Sequence, residues 1–405
     1  MSSVPAAAPA VTPAPPLPAA ATSTEWRAEV GGIDVRFGVG AAAAVGELAR
    51  ELGGRRALLV TDPGVRAAGH ADRAAAALDA AGVAARIFDA VIENPTTREV
   101  AAGRDAAARW GTDLVVALGG GSAMDCAKGI NFLLTNGGRM EDYRGLGRAR
   151  QPLLPAIGLP TTAGTGSEAQ SYALITQAES HRKMACGDRQ ARFRIVVLDP
   201  SLLASAPRRA AAAAGIDALA HAVESLVCRA ANPVSRMLSR EAWRLLEPSL
   251  LRHLAAPAEL GAAGGMLLGA HLAGAAVELS MLGAAHACAN PLSARYGVAH
   301  GVAVALLLPH VVRWNGAAAE AGSGQVGTAA AAYSTLDSCA SSERLAARIE
   351  ELRAAAGLPG RLREVDVEVS ALPELAREAA QQWTAGFNPR PAGEEALLRL
   401  YEQAF

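Results

Sequence analysis

The sequence predicts an N-terminal α/β domain, built on a doubly wound and mostly parallel sheet, followed by an all-α C-terminal domain. Three observations predict it. In the first half, short and almost wholly apolar runs alternate with helical stretches, the pattern of βαβ units whose sheet is covered on both faces. One of these runs, Asp113-Leu-Val-Val-Ala-Leu, passes directly into Gly119-Gly-Gly-Ser122, a glycine turn at the start of a helix. From about Ala206 the β-branched clusters give way to long Ala/Leu-rich runs that continue to Phe405.

The elements follow in order. Met1–Ser23 is an Ala/Pro-rich segment in which prolines interrupt every apolar stretch, so residues 1–24 are expected as a disordered tail and not as a signal peptide. Trp26–Val30 and Ile33–Phe37 form a hairpin about Gly31-Gly32, and a helix spans about Gly40–Leu52. The alternation then runs through a strand at Ala57–Thr61, a helix at Val65–Ala81, a strand at Ala85–Val91, a helix at Thr97–Trp110 and a strand at Asp113–Leu118. Further strands are expected at Leu154–Leu159, Ser171–Thr176 and Arg194–Leu198, which closes the first domain near Asp199-Pro200. Residues 25–205 and 206–405 are thus the two domains, the second interrupted at Asn232-Pro233, Pro291, Pro309, Pro359 and Pro373.

Composition excludes several classes. The 405 residues suit two domains at ~100–200 residues each. Thirty-eight Lys+Arg nearly cancel 39 Asp+Glu, and no basic stripe offers a surface for nucleic acid or lipid headgroups. No apolar run reads as a membrane span. Five scattered cysteines without a CxxC pair argue against a disulfide framework and for the reducing cytoplasm.

Four stretches carry chemistry. Gly119–Ser122 lies at the carboxyl end of a buried strand, where open α/β sheets bind ligands, and its free N–H groups suit a phosphate; as a bare glycine turn it has even standing. Pro160-Thr-Thr-Ala-Gly-Thr-Gly-Ser-Glu168 offers hydroxyls to ribose and phosphate, or is merely a polar helix cap. Asp62 follows a strand directly, the place for a carboxylate that accepts a ribose diol, although Asp-Pro-Gly is also a good turn. In the helical half, Asp217 and His221 stand four apart on one helix face, and His286 and His300 lie among Ala, Val and Gly. Three imidazoles and one carboxylate on apolar faces suit Fe(II) or Zn(II). Of the other histidines, His70 and His253 are expected to be exposed, His181 sits among charges, and His271 and His310 suit the core.

Together these motifs resemble the iron-containing (group III) alcohol dehydrogenases, a family with a dehydroquinate synthase-like fold. The resemblance runs over nearly the whole chain after the tail. It rests on Val60-Thr-Asp62, Glu93-Asn-Pro-Thr96, Gly119-Gly-Gly-Ser-Ala-Met-Asp125-Cys-Ala-Lys128, the Pro160–Glu168 loop, Gly215-Ile-Asp-Ala-Leu-Ala-His221, the His286…His300 segment, Leu308-Pro-His310 and Asn388-Pro-Arg-Pro391. It implies a nucleotide-binding domain, a helical metal-binding domain and a cleft between them. Asp217, His221, His286 and His300 would be the metal ligands, with iron foremost and zinc the alternative. Gly120, Gly121 and Ser122 would hold the pyrophosphate of NAD(H), with Asp125 beside them. Asp62 would bind the adenosine ribose, Asn94 the adenosine end, and Thr161, Thr162, Thr165 and Lys183 would line the cofactor site. The implied activity is hydride transfer between NAD(H) and a small alcohol or aldehyde, in a homodimer or larger homo-oligomer.

Two departures stand out. Asn290 occupies the position where many members carry a histidine, and an amide positions a substrate but carries no proton. Gln170-Ser171-Tyr172 replaces a polar cofactor contact. The alternatives are a lyase of the dehydroquinate synthase type and a catalytically silent binding protein on the same fold. The intact Asp/His/His/His set counts against both.

Overall fold

The computed structural model describes residues 25–180, 182–317, 326–336 and 341–405. The expected tail, His181 and Cys339 lie outside these residues. Among the described residues the first half forms a seven-stranded sheet and a small three-stranded one, and the second half is helical.

The large sheet is built from β1 (Trp26–Val30), β2 (Ile33–Phe37), β3 (Arg56–Val60), β4 (Ala84–Phe88), β5 (Leu114–Gly119), β7 (Ala156–Pro160) and β10 (Ile195–Leu198), in the order β1-β2-β10-β7-β5-β3-β4. All pairs are parallel except the β1/β2 hairpin. Every residue of β5, β7 and β10 is buried, which accounts for their continuous apolar runs. Helices α1 (Val45–Glu51), α2 (Pro63–Ala67), α3 (His70–Ala80), α4 (Thr97–Trp110) and α5 (Gly121–Asn136) form the crossovers. The chain passes from β3 outward to β4 and then returns to β5 on the other side of β3. That reversal opens a crevice at the carboxyl ends of β3 and β5.

Several expectations change. The helix expected over Val65–Ala81 is divided into α2 and α3, because Gly69 adopts a left-handed conformation (φ 77°). The strand expected at Ser171–Thr176 is β8 (Tyr172–Thr176), but it pairs outside the main sheet with β9 (Lys183–Gly187), which joins the two-residue β6 (Gly145–Leu146). Neither β6 nor β9 was expected, for β6 has only two residues and β9 carries no β-branched or aromatic side chain.

The helical half comprises α6 (Arg208–Val227), α7 (Pro233–Ala255), α8 (Leu260–Leu279), α9 (Ala284–Tyr296), α10 (His300–Gly316), α11 (Val326–Tyr333), α12 (Ser342–Ala355), α13 (Leu372–Ala380) and α14 (Glu394–Ala404). Asn232 caps α7 as its sequence suggests, accepting from Val234 and Ser235 N–H. Pro291 and Pro309, in contrast, do not interrupt: they lie inside α9 and α10, where burial outweighs the lost backbone hydrogen bond. Helices α6 and α8 are long and apolar enough to cross a membrane by composition, with mean hydropathy 1.3 and 1.5, although no such run was expected. They are core helices, 83% and 78% buried inside the fold.

Two of the histidines also depart from expectation. His70 and His253 are buried, not exposed. His70 finds partners in Ser205 Oγ at 2.8 Å and Arg73 at 2.7 Å, contacts that no local pattern announces.

Candidate metal centre and cofactor cleft

Helix α6 is buried on nearly all sides, yet it carries Asp217, His221 and Glu224 on a single face. His286 enters from the first turn of α9, and His300 from the first residue of α10. The four expected ligands converge: Asp217 Oδ1 lies 3.3 Å from His286 Nε2, 3.7 Å from His221 Nε2 and 3.8 Å from His300 Nε2. The His221 and His286 rings stack with centroids 4.9 Å apart, and His300 lies 5.4 Å from His286. Asp217, His221 and His286 are buried, whereas the His300 side chain keeps 29% exposure.

The electrostatics suit a cation. Asp217 Oδ1 and His286 Nε2 are buried and make no hydrogen bond, despite lying 3.3 Å apart. Two such orphans would be costly unless their lone pairs share a positive partner. Burial opposes the Asp217 carboxylate, but the surrounding imidazoles, His221 foremost, hold its pKa well below the usual range. Burial pushes His300 down to about 3 and also lowers His221, which keeps both rings neutral, as ligands must be. For His286 burial acts downward, yet Asp217 and Glu224 hold its pKa up at about 9. A divalent cation in place of that proton satisfies the same negative surroundings. The donor set fits iron or zinc.

Glu224 was missed in the sequence, although Asp-x3-His-x2-Glu on one helix was a legible signal. Its Oε2 lies 2.5 Å from His286 Nδ1. It therefore accepts a hydrogen bond from Nδ1–H and leaves the Nε2 lone pair to face Asp217, the usual arrangement of a carboxylate behind a ligating imidazole.

The dinucleotide motifs meet at the crevice of the sheet. Gly120 follows β5 directly and caps α5 without a side-chain hydrogen bond, which leaves first-turn N–H groups open to an anion. A Cβ on Gly121 would lie 2.6 Å from Thr165 Cγ2, so the glycine turn and the threonine loop abut. Thr161 N–H donates to the Gly119 carbonyl at 3.0 Å, and Thr162 lies over Gly120. Asp62 stands at the end of β3 beside Gly119, where its Oδ1 also caps α2 by accepting from Val65 N–H at 2.9 Å. The turn that the sequence also allowed is therefore present, with Asp62 as its cap. Asn94, at φ 53°, donates its backbone N–H to Ser122 Oγ and accepts from Lys183 Nζ at 3.4 Å.

Asp125 lies deeper than the others. It is buried and accepts from Ser167 Oγ at 2.6 Å, while Lys128 Nζ donates to Ser167 O, Ser167 Oγ and Tyr172 O at 2.7–3.0 Å. This cluster ties the threonine loop to α5. The same loop meets the helical domain through Gly166 against Gly274, Glu168 against His271 at 3.3 Å, and Ser171 donating twice to Glu278 at 3.0 Å. Asn290, one turn after His286, donates through Nδ2 to Gln382 Oε1 at 3.2 Å, and the adjoining Trp383 meets Tyr172 across the domain junction at 5.8 Å.

Comparison with known proteins agrees with this geometry. Residues 33–200 match the model of the iron-containing alcohol dehydrogenases, and residues 211–405 match the C-terminal model of that family. 1,3-Propanediol dehydrogenase of Klebsiella pneumoniae is 36% identical over 375 residues, covering 91% of this chain and 96% of that protein. Lactaldehyde reductase of Escherichia coli K12 is 33% identical, covering 91% and 97%. Among solved structures, a 1,3-propanediol oxidoreductase superposes with TM-score 0.84 at 34% identity, covering 95% of this chain and 100% of that one. Sulfoacetaldehyde reductase from Bifidobacterium kashiwanohense in complex with NAD+ gives 0.82 at 27%, covering 94% and 98%. These relatives are oxidoreductases, which sets aside the lyase and the silent scaffold. The chain belongs to the iron-containing alcohol dehydrogenase family and is an NAD- and metal-dependent alcohol dehydrogenase and aldehyde reductase.

Proposed function

We propose that Asp217, His221, His286 and His300 hold one divalent metal, and that Asp62, Asn94, Gly120, Gly121, Ser122, Asp125, Thr161, Thr162, Thr165 and Lys183 form the NAD(H) site. Residues 25–205 serve as the nucleotide domain and 206–405 as the metal domain. The observation that carries the reading is the convergence of three imidazoles on the unpaired Asp217 Oδ1 within 3.8 Å. When bound, the metal supplies Lewis-acid polarisation of an alcohol or carbonyl oxygen, and the nicotinamide supplies the hydride chemistry.

The substrate is a small alcohol or aldehyde, and the names of the relatives support that range. Asn290 positions it. The Glu378 carbonyl can only accept, so Gln382 turns Nε2 toward it (3.4 Å) and Oε1 toward Asn290 Nδ2. Asn290 Oδ1 is left to accept a hydrogen bond from a substrate hydroxyl. No proton passes through this amide, and the reaction proton leaves by water and ribose hydroxyls. The enzyme works in the cytoplasm, consistent with buried free thiols at Cys126, Cys186, Cys228 and Cys288. It assembles as a homodimer or larger homo-oligomer.

His286→Ala tests the metal assignment. The variant is expected to fold, to lose bound metal and to lose turnover. Stoichiometric metal with normal turnover would overturn it.

A further inference from the structure

The first turn of α9, which carries His286, is held in an unusual way. Its N-cap is Gly283, which has no side chain to serve the exposed N–H groups. Side chains from distant segments serve them instead. Asn388 Oδ1 accepts from Ala284 N–H at 3.2 Å, Glu224 Oε1 from Ala285 N–H at 2.8 Å, and Glu224 Oε2 from His286 N–H at 3.4 Å. A Cβ on Gly283 would lie 2.8 Å from Asn388 Oδ1 and 2.9 Å from Glu224 Oε1, so only glycine admits both.

Asn388 also reaches the second metal-bearing helix. It exchanges two hydrogen bonds with Asn315 of α10, at 3.1 and 2.9 Å, and both side chains are 99% buried. Its remaining proton goes to the Arg390 carbonyl at 3.0 Å. Every donor and acceptor of the Asn388 amide is thereby used, and the Ala284 N–H, which can only donate, fixes which end faces α9. Arg390 then donates to the Trp314 carbonyl and lies 5.1 Å over the Trp314 ring, gripping the last turn of α10. Pro389 and Pro391 stiffen the segment between and beyond these contacts.

We propose that Asn388 is a positioning residue for the metal: by clamping the start of α9 to α10, it sets the placement of His286 relative to Asp217 and His300, and hence how tightly the metal is held. This rests on the metal assignment above. Nothing in Asn388 touches the four ligands' donor atoms, so its effect acts through helix placement and should appear in metal retention before it appears in nucleotide binding.

The test uses zinc-loaded full-length protein and follows zinc release to an excess of a chromogenic chelator. Unfolding temperatures are measured with and without zinc, and NADH binding by fluorescence. Asn388→Ala is expected to release zinc ~10–100-fold faster, the range seen when a partner behind a metal ligand is lost. The zinc-induced rise in unfolding temperature should shrink, while NADH affinity stays within twofold. Release within twofold of wild type, or equal thermal losses with and without zinc, would overturn the proposal. If Asn388→Ala does not fold, Asn315→Ser, which removes the reciprocal amide pairing, should still release zinc about 3–10-fold faster, and a wild-type rate there overturns the proposal equally. Failure of wild-type protein to bind one zinc would instead refute the metal assignment itself.

Discussion

Asp62→Gly isolates one charge with two separable duties. The Asp62 carboxylate caps α2 through Val65 N–H and stands beside Gly119 at the end of β3. Glycine is itself a tolerated N-cap, so losing the cap should cost only a few tenths of a kcal/mol. The electrostatic duty is larger. A ribose 2′-phosphate carries about two negative charges and would sit at roughly 5 Å from a carboxylate placed to accept the ribose diol. Asp62 is half-buried at a cleft edge, so water-like screening gives the minimum repulsion: about 0.8 kcal/mol per unit charge, or ~1.7 kcal/mol in all. That corresponds to roughly a 15-fold preference for NAD(H), rising as screening weakens. The assay is kcat/KM for NADH and NADPH in wild type and Asp62→Gly at constant ionic strength. Wild type should prefer NADH by at least about tenfold, and the variant should lose most of that preference while its unfolding temperature moves by only a few degrees. A wild-type preference for NADPH, or an unchanged ratio in the folded variant, would refute the reasoning.

Three further outcomes follow from single contacts. Asn290→Ala removes a hydrogen bond shared by bound substrate and transition state, so KM should rise about 3–10-fold with kcat nearly unchanged; a large kcat loss at constant KM would show that the amide acts in the transition state. A Cβ at Gly274 would lie 2.5 Å from the Gly166 carbonyl oxygen, so Gly274→Ala should displace the threonine loop at a cost of about 1–3 kcal/mol. KM for NAD should rise while metal content stays unchanged, and loss of metal with normal cofactor binding would contradict the division of labour. Burial pushes His310 down to about 4, so below its unfolded value of about 6.5 the unfolded chain takes a proton that the folded chain refuses. Stability should therefore fall as pH drops from about 6.5 to about 4, and this group should cause no further loss below that. His310→Gln should lessen the fall, as read from denaturant midpoints at pH 7.5 and 5; identical falls would reject the assignment.

Much of this protein is local, and local features are legible in a chain. The order of strands and helices in the nucleotide domain followed from buried runs such as Leu114–Gly119, because a strand covered on both faces must be apolar throughout. The shared face of Asp217 and His221 followed from helical spacing alone. What could not be read locally was whatever depends on a partner far along the chain. His70 and His253 looked like surface residues because polar neighbours in sequence say nothing about packing partners, and Pro291 and Pro309 looked like breaks because the burial that retains them comes from other helices. The strand β9 escaped notice because Lys183–Gly187 is short and carries no β-branched residue, and only its pairing with β8 makes it a strand. The residues that hold the site together belong to the same group: Glu224 behind His286, Lys128 beneath the threonine loop, and Asn388 between the first turn of α9 and Asn315. The sequence by itself determined which side chains could ligate a metal and which turn could face a phosphate, since residue type and period decide those. Only the tertiary structure decided their convergence and which imidazole nitrogen is left bare, because both depend on buried hydrogen bonds between segments more than sixty residues apart.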